Sequence, residues 1–107
     1  MSFDCTIERA GDTITVVPQG DIGMETTAVM REVLRQVVES HDRGQIDVDM
    51  RAVTFLDSTG LGMLVAAHRA AAAKGVDLLL REPGPVVGMV LQIANLDGVL
   101  VRKTEAD

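Results

Sequence analysis

Two short stretches, IDVDM (46–50) and FLDSTGLG (55–62), followed by an alanine-rich apolar pattern as far as Gly75, decide the fold of this chain. In the first stretch apolar residues alternate with two aspartates, which predicts a strand with one covered and one polar face. The second stretch predicts a tight turn that opens a helix, with Ser58 at the turn. A serine there lies close to the free backbone N–H groups of the first helical turn. It can therefore cap the helix or, once phosphorylated, hold an anion at the helix end.

The residues before this core predict a β-hairpin and one amphipathic helix. Residues 3–9 and 13–19 favour strands and are separated by a turn that contains Gly11 and Asp12. Thr26 or Thr27 is then expected to cap a helix. Its apolar residues recur at helical spacing, at Met30, Val33, Leu34, Val37 and Val38.

The residues after the core predict two more strands with a helix between them. The helix that follows Ser58 is expected to end at Gly75 in a left-handed cap, before an apolar strand over 76–80. Pro85 fits the first turn of a third helix that ends within 95–98, and a last strand is expected over 99–101. The order ββαβαβαβ predicts an α/β fold, a β-α superhelix with a mixed sheet of about five strands and helices mainly on one face.

Length and composition restrict the class of protein. The chain has 107 residues, which predicts a single domain over 1–107. Its formal net charge is -6 and its longest basic cluster is Arg102-Lys103, so no nucleic acid partner is expected. The apolar runs are shorter than the roughly 18 to 20 residues that cross a bilayer, which predicts a cytoplasmic protein without membrane insertion. Cys5, His41 and His68 have no partners at metal-ligand spacing, so no metal or other cofactor is expected.

Three groups of residues together resemble the STAS domain family, as found in bacterial anti-sigma-factor antagonists. These are Val48-Asp49-Met50, the hexad Asp57–Gly62, and Ala66-Ala67-His68-Arg69, and the resemblance covers nearly the whole chain. It implies that Ser58 is phosphorylated by a partner that is both serine kinase and anti-sigma factor. It also implies that the unmodified form, a monomer when free, binds this partner and releases a sigma factor. Phosphorylation would end the binding, and a serine phosphatase would restore it.

The partner-binding surface is expected around the Ser58 turn and the loop that follows the second strand. Its residues are Asp21, Gly23, Met24, Asp57, Ser58, Thr59, Gly60, Leu61, Gly62 and Met63. Gly60 and Gly62 each cost up to about 1 kcal/mol relative to alanine in a helix, a penalty that packing alone does not explain. We interpret them as a bare helix end that another protein can approach closely. Gly23 departs from the family pattern, in which this position commonly carries an acidic residue or asparagine.

Other interpretations of the same residues remain open. Ser58 is a favoured capping residue and would then have no regulatory role, and Thr59 offers a second hydroxyl for modification. The chain is also compatible with a constitutive STAS scaffold, in a lipid-transport ATPase complex or a larger signalling assembly. A phosphotransfer enzyme that uses Asp57 is disfavoured, because only Asp21 and Asp49 are available as helpers and no lysine lies near a matching strand end. No catalytic residue is therefore expected, and Asp57 is expected to shape the turn.

Overall fold

The computed structural model describes residues 3–101. Within this range, five strands and four helices follow one another in the order ββαββαβαα. The strands are β1 (Asp4–Ala10), β2 (Thr13–Ile22), β3 (Gln45–Asp49), β4 (Val53–Leu56) and β5 (Asp77–Arg81). The helices are α1 (Met24–Ser40), α2 (Ser58–Ala72), α3 (Pro85–Ile93) and α4 (Asp97–Leu100).

The long strand β2 organises a mixed sheet. The whole of β1 pairs antiparallel with residues 13–19 of β2, which confirms the predicted hairpin. On its other edge, residues 13–16 pair parallel with β3 and residues 20–22 pair parallel with β4. β3 pairs in turn with β5, also parallel. The predicted α/β fold with a mixed sheet of five strands is confirmed. The parallel pairs are connected through α1 and α2, because parallel strands need a crossover connection.

The core lies between the sheet and the first two helices. Two in-register rows of buried side chains cross β2, β3 and β5, namely Ile14, Ile46 and Leu78, then Val16, Val48 and Leu80. α1 contributes Met30, Leu34, Val37 and Val38, the apolar stripe that the sequence predicts. Burial of such aliphatic side chains is the main stabilising contribution in a core with so few aromatic rings.

The structure differs from the predicted order in two elements, a strand that was not predicted and a predicted strand that is a helix. β4 was not expected, because Val53 and Leu56 are buried while the two residues between them are exposed, a pattern without strand alternation. The predicted last strand over 99–101 is mostly the short helix α4, and only Val101 forms a single parallel bridge, to Leu80. Helical spacing places Leu100 one turn after Leu96, where it is buried against β5. The order ββαβαβαβ is therefore corrected to ββαββαβαα.

The polar face of β3 is more closed than the sequence suggests. Asp47 lies on the opposite face from Ile46 and Val48, as predicted, but it is only 2% exposed. Arg81 Nη1 lies 3.6 Å from Asp47 Oδ2, and Gln45 Nε2 donates to the same oxygen at 3.2 Å. The long polar side chains of β3 and β5 thus cover a carboxylate that alternation alone would place in solvent.

The C-terminal ends of α1 and α2 are tied together. Gly75 follows α2 with a φ of +78°, the left-handed conformation that the sequence predicts. Beside it, Lys74 Nζ donates to Val38 O at 2.6 Å and to Glu39 O at 3.1 Å. A lysine therefore satisfies carbonyls that the last turn of α1 leaves without helical partners.

Candidate functional site

Two strand–helix junctions lie side by side at one end of the molecule. The α1 junction (residues 21–27) connects β2 to α1, and the α2 junction (residues 54–60) connects β4 to α2. They meet because β2 and β4 pair parallel in register at their last residues, Ile22 with Leu56. Asp57 N also donates to Ile22 O at 3.2 Å. The first turns of two parallel helices are consequently neighbours, which brings together the two predicted parts of the partner surface.

Asp57 caps α2. Its Oδ1 accepts hydrogen bonds from Thr59 Oγ1 at 2.7 Å and from Gly60 N at 2.9 Å. The Thr59 hydroxyl, followed by the Gly60 N–H, lowers the pKa of the Asp57 carboxyl below its ordinary value of 3.8, so the carboxylate is ionised at neutral pH. The alternative interpretation, in which Ser58 caps the helix, is therefore wrong. Asp57 occupies the position from which an oxygen reaches the N3 N–H group, and Ser58 is already helical.

Ser58 is the first helical residue of α2, and its side chain is exposed. Within residues 3–101 its hydroxyl makes no hydrogen bond, whereas the neighbouring Thr59 hydroxyl is used by Asp57. The backbone N–H groups of the first helical turn lie beside it, and they are the groups that stabilise an anion at a helix start. Both residues that the sequence leaves open for modification are exposed, but only the Ser58 hydroxyl is not engaged in a hydrogen bond among residues 3–101.

Gly60 and Gly62, which follow Ser58 in α2, differ in their surroundings. A β-carbon at Gly60 would lie 2.8 Å from Ile22 Cγ2 and from Leu56 Cδ1, so this residue is buried where α2 touches both strands. The interpretation that packing does not require a glycine is therefore wrong for Gly60. Around Gly62 nothing lies within 4 Å of such a carbon, and the residue is exposed. Gly62 alone leaves the helix surface next to Ser58 bare.

The α1 junction is held by its threonines. α1 begins at Met24 with Gly23 as N-cap, earlier than the predicted caps at Thr26 or Thr27. Thr26 Oγ1 accepts from Gly23 N at 3.0 Å and donates to Asp21 O at 2.8 Å. Asp21 in turn accepts a hydrogen bond from the hydroxyl of Thr54, a residue that the sequence analysis does not select. Thr26 therefore caps the helix from its third residue rather than from the N-cap position.

Among the other predicted surface residues, the two methionines differ most. Met24 is 80% exposed, but Met63 is 3% exposed and packs in the core, so the expectation that both are exposed is wrong for Met63. Leu61 is partly buried. Phe55 was not predicted at this surface, yet it is 47% exposed on β4 opposite Asp21. Exposed aromatic and methionine side chains are enriched in protein contact surfaces.

The described residues contain neither a cluster of metal ligands nor a helix that could span a membrane. Within residues 3–101 no three histidine, cysteine or acidic side chains come together as a metal site. Over the same residues, no helix combines the length and the hydropathy needed to cross a bilayer. What the two junctions present is an exposed hydroxyl at a helix start, beside an ionised carboxylate and two exposed apolar side chains. Such an arrangement suits reversible binding of another protein.

Known proteins resemble this chain in sequence and fold. A family model described as "Mlab, STAS domain" matches residues 5–102. The anti-sigma-B factor antagonist of Listeria monocytogenes is 26% identical over 93 residues, which are 87% of this chain and 81% of the relative.

Solved structures give the same picture of the fold. An anti-sigma factor antagonist from Mycobacterium paratuberculosis superposes with a TM-score of 0.84 at 24% identity, over 96% of this chain and 87% of that one. The unphosphorylated anti-sigma factor antagonist SpoIIAA gives 0.79 at 20% identity, over 95% and 90%. The phosphorylated form of SpoIIAA, from Bacillus, gives 0.72 at 19% identity, over 95% and 93%.

Proposed function

This chain belongs to the STAS domain family, and on that basis we propose that it is an anti-sigma-factor antagonist controlled by phosphorylation of Ser58. The unphosphorylated form binds an anti-sigma factor that is also a serine kinase, and a sigma factor is released. Phosphorylation of Ser58 ends the binding, and a serine phosphatase restores it. The named relatives support this function over the constitutive scaffold that the sequence also allows.

The observation that carries the proposal is the state of the Ser58 side chain. It is exposed at the start of α2, and its hydroxyl has no hydrogen-bond partner among residues 3–101, so a kinase reaches it without unfolding the helix. A capping serine would have its oxygen engaged by backbone N–H groups. Here Asp57 makes that bond and leaves the serine available.

Phosphorylation would change the surface while the fold remains. A phosphoserine carries roughly -1.5 to -2 charges at neutral pH. The helix macrodipole favours this charge by about 0.3 to 1 kcal/mol at the start of α2. The ionised Asp57 is adjacent, so the junction would present two neighbouring negative groups to the partner. A partner surface that fits the neutral hydroxyl would then be repelled.

The contact surface is proposed to include both junctions. Asp21, Gly23 and Met24 form one side, and Asp57, Ser58, Thr59, Leu61 and Gly62 form the other. Gly60 and Met63 support it from beneath. Exposed Met24 supplies apolar area, and Gly62 permits close approach of the partner backbone to α2.

Incubation with the candidate kinase and ATP, followed by mass spectrometry, tests the proposal. We expect one phosphate on Ser58 in the wild type and in Thr59→Val, and none in Ser58→Ala. Ser58→Ala should bind the kinase like the wild type, whereas Ser58→Asp should bind about tenfold more weakly or worse because of like-charge repulsion. Circular dichroism checks that each variant is folded. Phosphate on another residue, or undiminished binding by Ser58→Asp, contradicts the proposal.

A further inference from the structure

A half-open cavity lies between α1 and α2, away from the first turns of both helices. Its volume is about 280 Å³, near the lower limit of ligand pockets, which span roughly 300 to 1,000 Å³. Six apolar side chains form most of its wall, namely Leu34, Val38, Met63, Ala66, Ala67 and Ala70. The alanines of α2 create the space, because larger side chains at these positions would fill the gap between the helices.

Three charged side chains stand at the rim of this cavity, but only one is available for a ligand. Arg35 donates to Glu32 at 2.6 Å and to Glu39 at 2.7 Å, so its guanidinium is fully engaged and the three groups together keep one negative charge. Arg31 is exposed and has no hydrogen bond or ion pair among residues 3–101. An unpaired guanidinium presents a planar set of donors that matches a carboxylate.

The positions of these groups along α1 define the shape of the ligand. Arg31 and Glu39 lie eight residues apart on the helix, a rise of roughly 12 Å. A ligand that pairs with Arg31 must therefore extend an unbranched apolar segment past Leu34 towards Val38 and Ala70. The negative charge that Arg35 leaves on Glu32 and Glu39 disfavours a carboxyl group near Glu39, so the ligand's carboxyl group is directed to the Arg31 end of the cavity.

We infer that this cavity binds a small amphipathic carboxylate, with its carboxyl group on Arg31 and a short acyl chain between α1 and α2. The chemical class is that of medium-chain fatty acids. The cavity wall shares Met63 with the support of the Ser58 surface, but its other lining residues lie outside that surface, and the inference does not rest on the proposed switch. A carboxylate is favoured over a cationic amphiphile because Arg31 is the free charge at the rim.

Titration of the ¹⁵N-labelled full chain with octanoate, followed by NMR, tests the inference. We expect saturable shift changes confined to residues of α1 and α2 that line the cavity. Octyltrimethylammonium has a similar chain and the opposite charge, and should cause no saturable change. Arg31→Gln should weaken octanoate binding about tenfold, since a charge-assisted hydrogen bond is lost. Arg9→Gln, which changes an exposed arginine on β1, is the matched control and should bind as the wild type does.

A second variant tests the apolar part of the site. Ala70→Leu fills the cavity from an exposed position on α2 and should abolish binding without loss of helix content. Ala72→Leu makes the same change at an exposed position of α2 outside the cavity wall and should leave binding intact. Unsaturable shifts, equal binding of the cationic amphiphile, or shifts centred on α3 instead would each overturn the inference.

Discussion

The α1 junction and the α2 junction have the same backbone plan but opposite caps. In the α2 junction the N-cap side chain, Asp57, reaches forward to the N–H of the third helical residue. In the α1 junction the third helical residue, Thr26, reaches back to the N–H of the N-cap, Gly23. Each junction thus contains one half of a capping box.

The close contact between the junctions explains this division. A β-carbon at Gly23 would lie 3.5 Å from Asp57 Oδ2, so an acidic residue there would place two carboxylates together. With glycine at this position, Asp57 is the only charged cap of the pair. Glycine at position 23 therefore keeps a second carboxylate away from Asp57 at the point where the two junctions meet.

The contact itself is most sensitive to Gly60, which touches Ile22 of the α1 junction. Gly60→Ala should lower the free energy of unfolding by about 1 to 3 kcal/mol through overpacking, offset only partly by better helix propensity. Gly62→Ala, where space is open, should raise it by up to about 1 kcal/mol. Urea denaturation of both variants measures the difference. Equal changes in the free energy of unfolding for the two variants would show that Gly60 is not closely packed against Ile22.

The two caps should differ in their effect on stability. Asp57→Ala removes an ionised acceptor of two hydrogen bonds, and should lower the melting temperature by a few degrees. Thr26→Val removes a neutral hydroxyl and should have a smaller effect, because no charge acts on the helix dipole. Asp57→Asn keeps a side-chain acceptor and should fall between them. Differential scanning calorimetry gives the ranking, and the reverse order would contradict the assignment of Asp57 as the stronger cap.

The stability contributions of the two caps, Asp57 and Thr26, should depend differently on pH. The pKa of Asp57 is lowered by folding, so its contribution to stability is present above the unfolded value of 3.8 and is lost as pH falls through the lower folded value. The stability difference between the wild type and Asp57→Asn should therefore be constant near neutral pH and shrink in acid. The difference for Thr26→Val should not depend on pH through its own side chain. Urea denaturation across this pH range makes the comparison.

The smallest expected effect concerns Gly23. Its φ of -131° suits any residue, so Gly23→Asp should fold and place a second carboxylate beside Asp57. Like charge raises a carboxyl pKa, and the pKa of Asp57 should move up relative to the wild type. Gly23→Asn has a similar shape without the charge and should leave it nearly unchanged. Carbon-13 NMR titration of the Asp57 carboxyl distinguishes the two, and an equal pKa in both variants would mean that the side chains do not meet.

Local patterns in the sequence were sufficient for most of the fold. Helical spacing identified the buried stripe of α1, and Gly75 marked the end of α2. The pattern failed where an element is short and exposed on one side, as in β4, whose central residues Thr54 and Phe55 face solvent. It failed again at the end of the chain, where four residues are enough for a helical turn but give no periodic signal.

The details of the site depended on contacts that sequence spacing does not contain. Asp57 and Ser58 are both good caps, and a shift of one residue in the helix start decides which of them reaches the N–H group. The packing role of Gly60 depends on Ile22, which belongs to another strand. The position of Ser58 as an exposed side chain at a helix start was nevertheless evident from the order of strand, turn and helix.

The bond from Lys74 to the last turn of α1 has a consequence for signalling. Contacts thus connect α1 and α2 at both ends, through the two junctions where they begin and through this lysine where they end. A phosphoryl group on α2 would therefore alter the electrostatic potential of the surface that the two helices form and leave their arrangement intact. Recognition by a partner would be decided at the point of modification, with no mechanical relay through the domain.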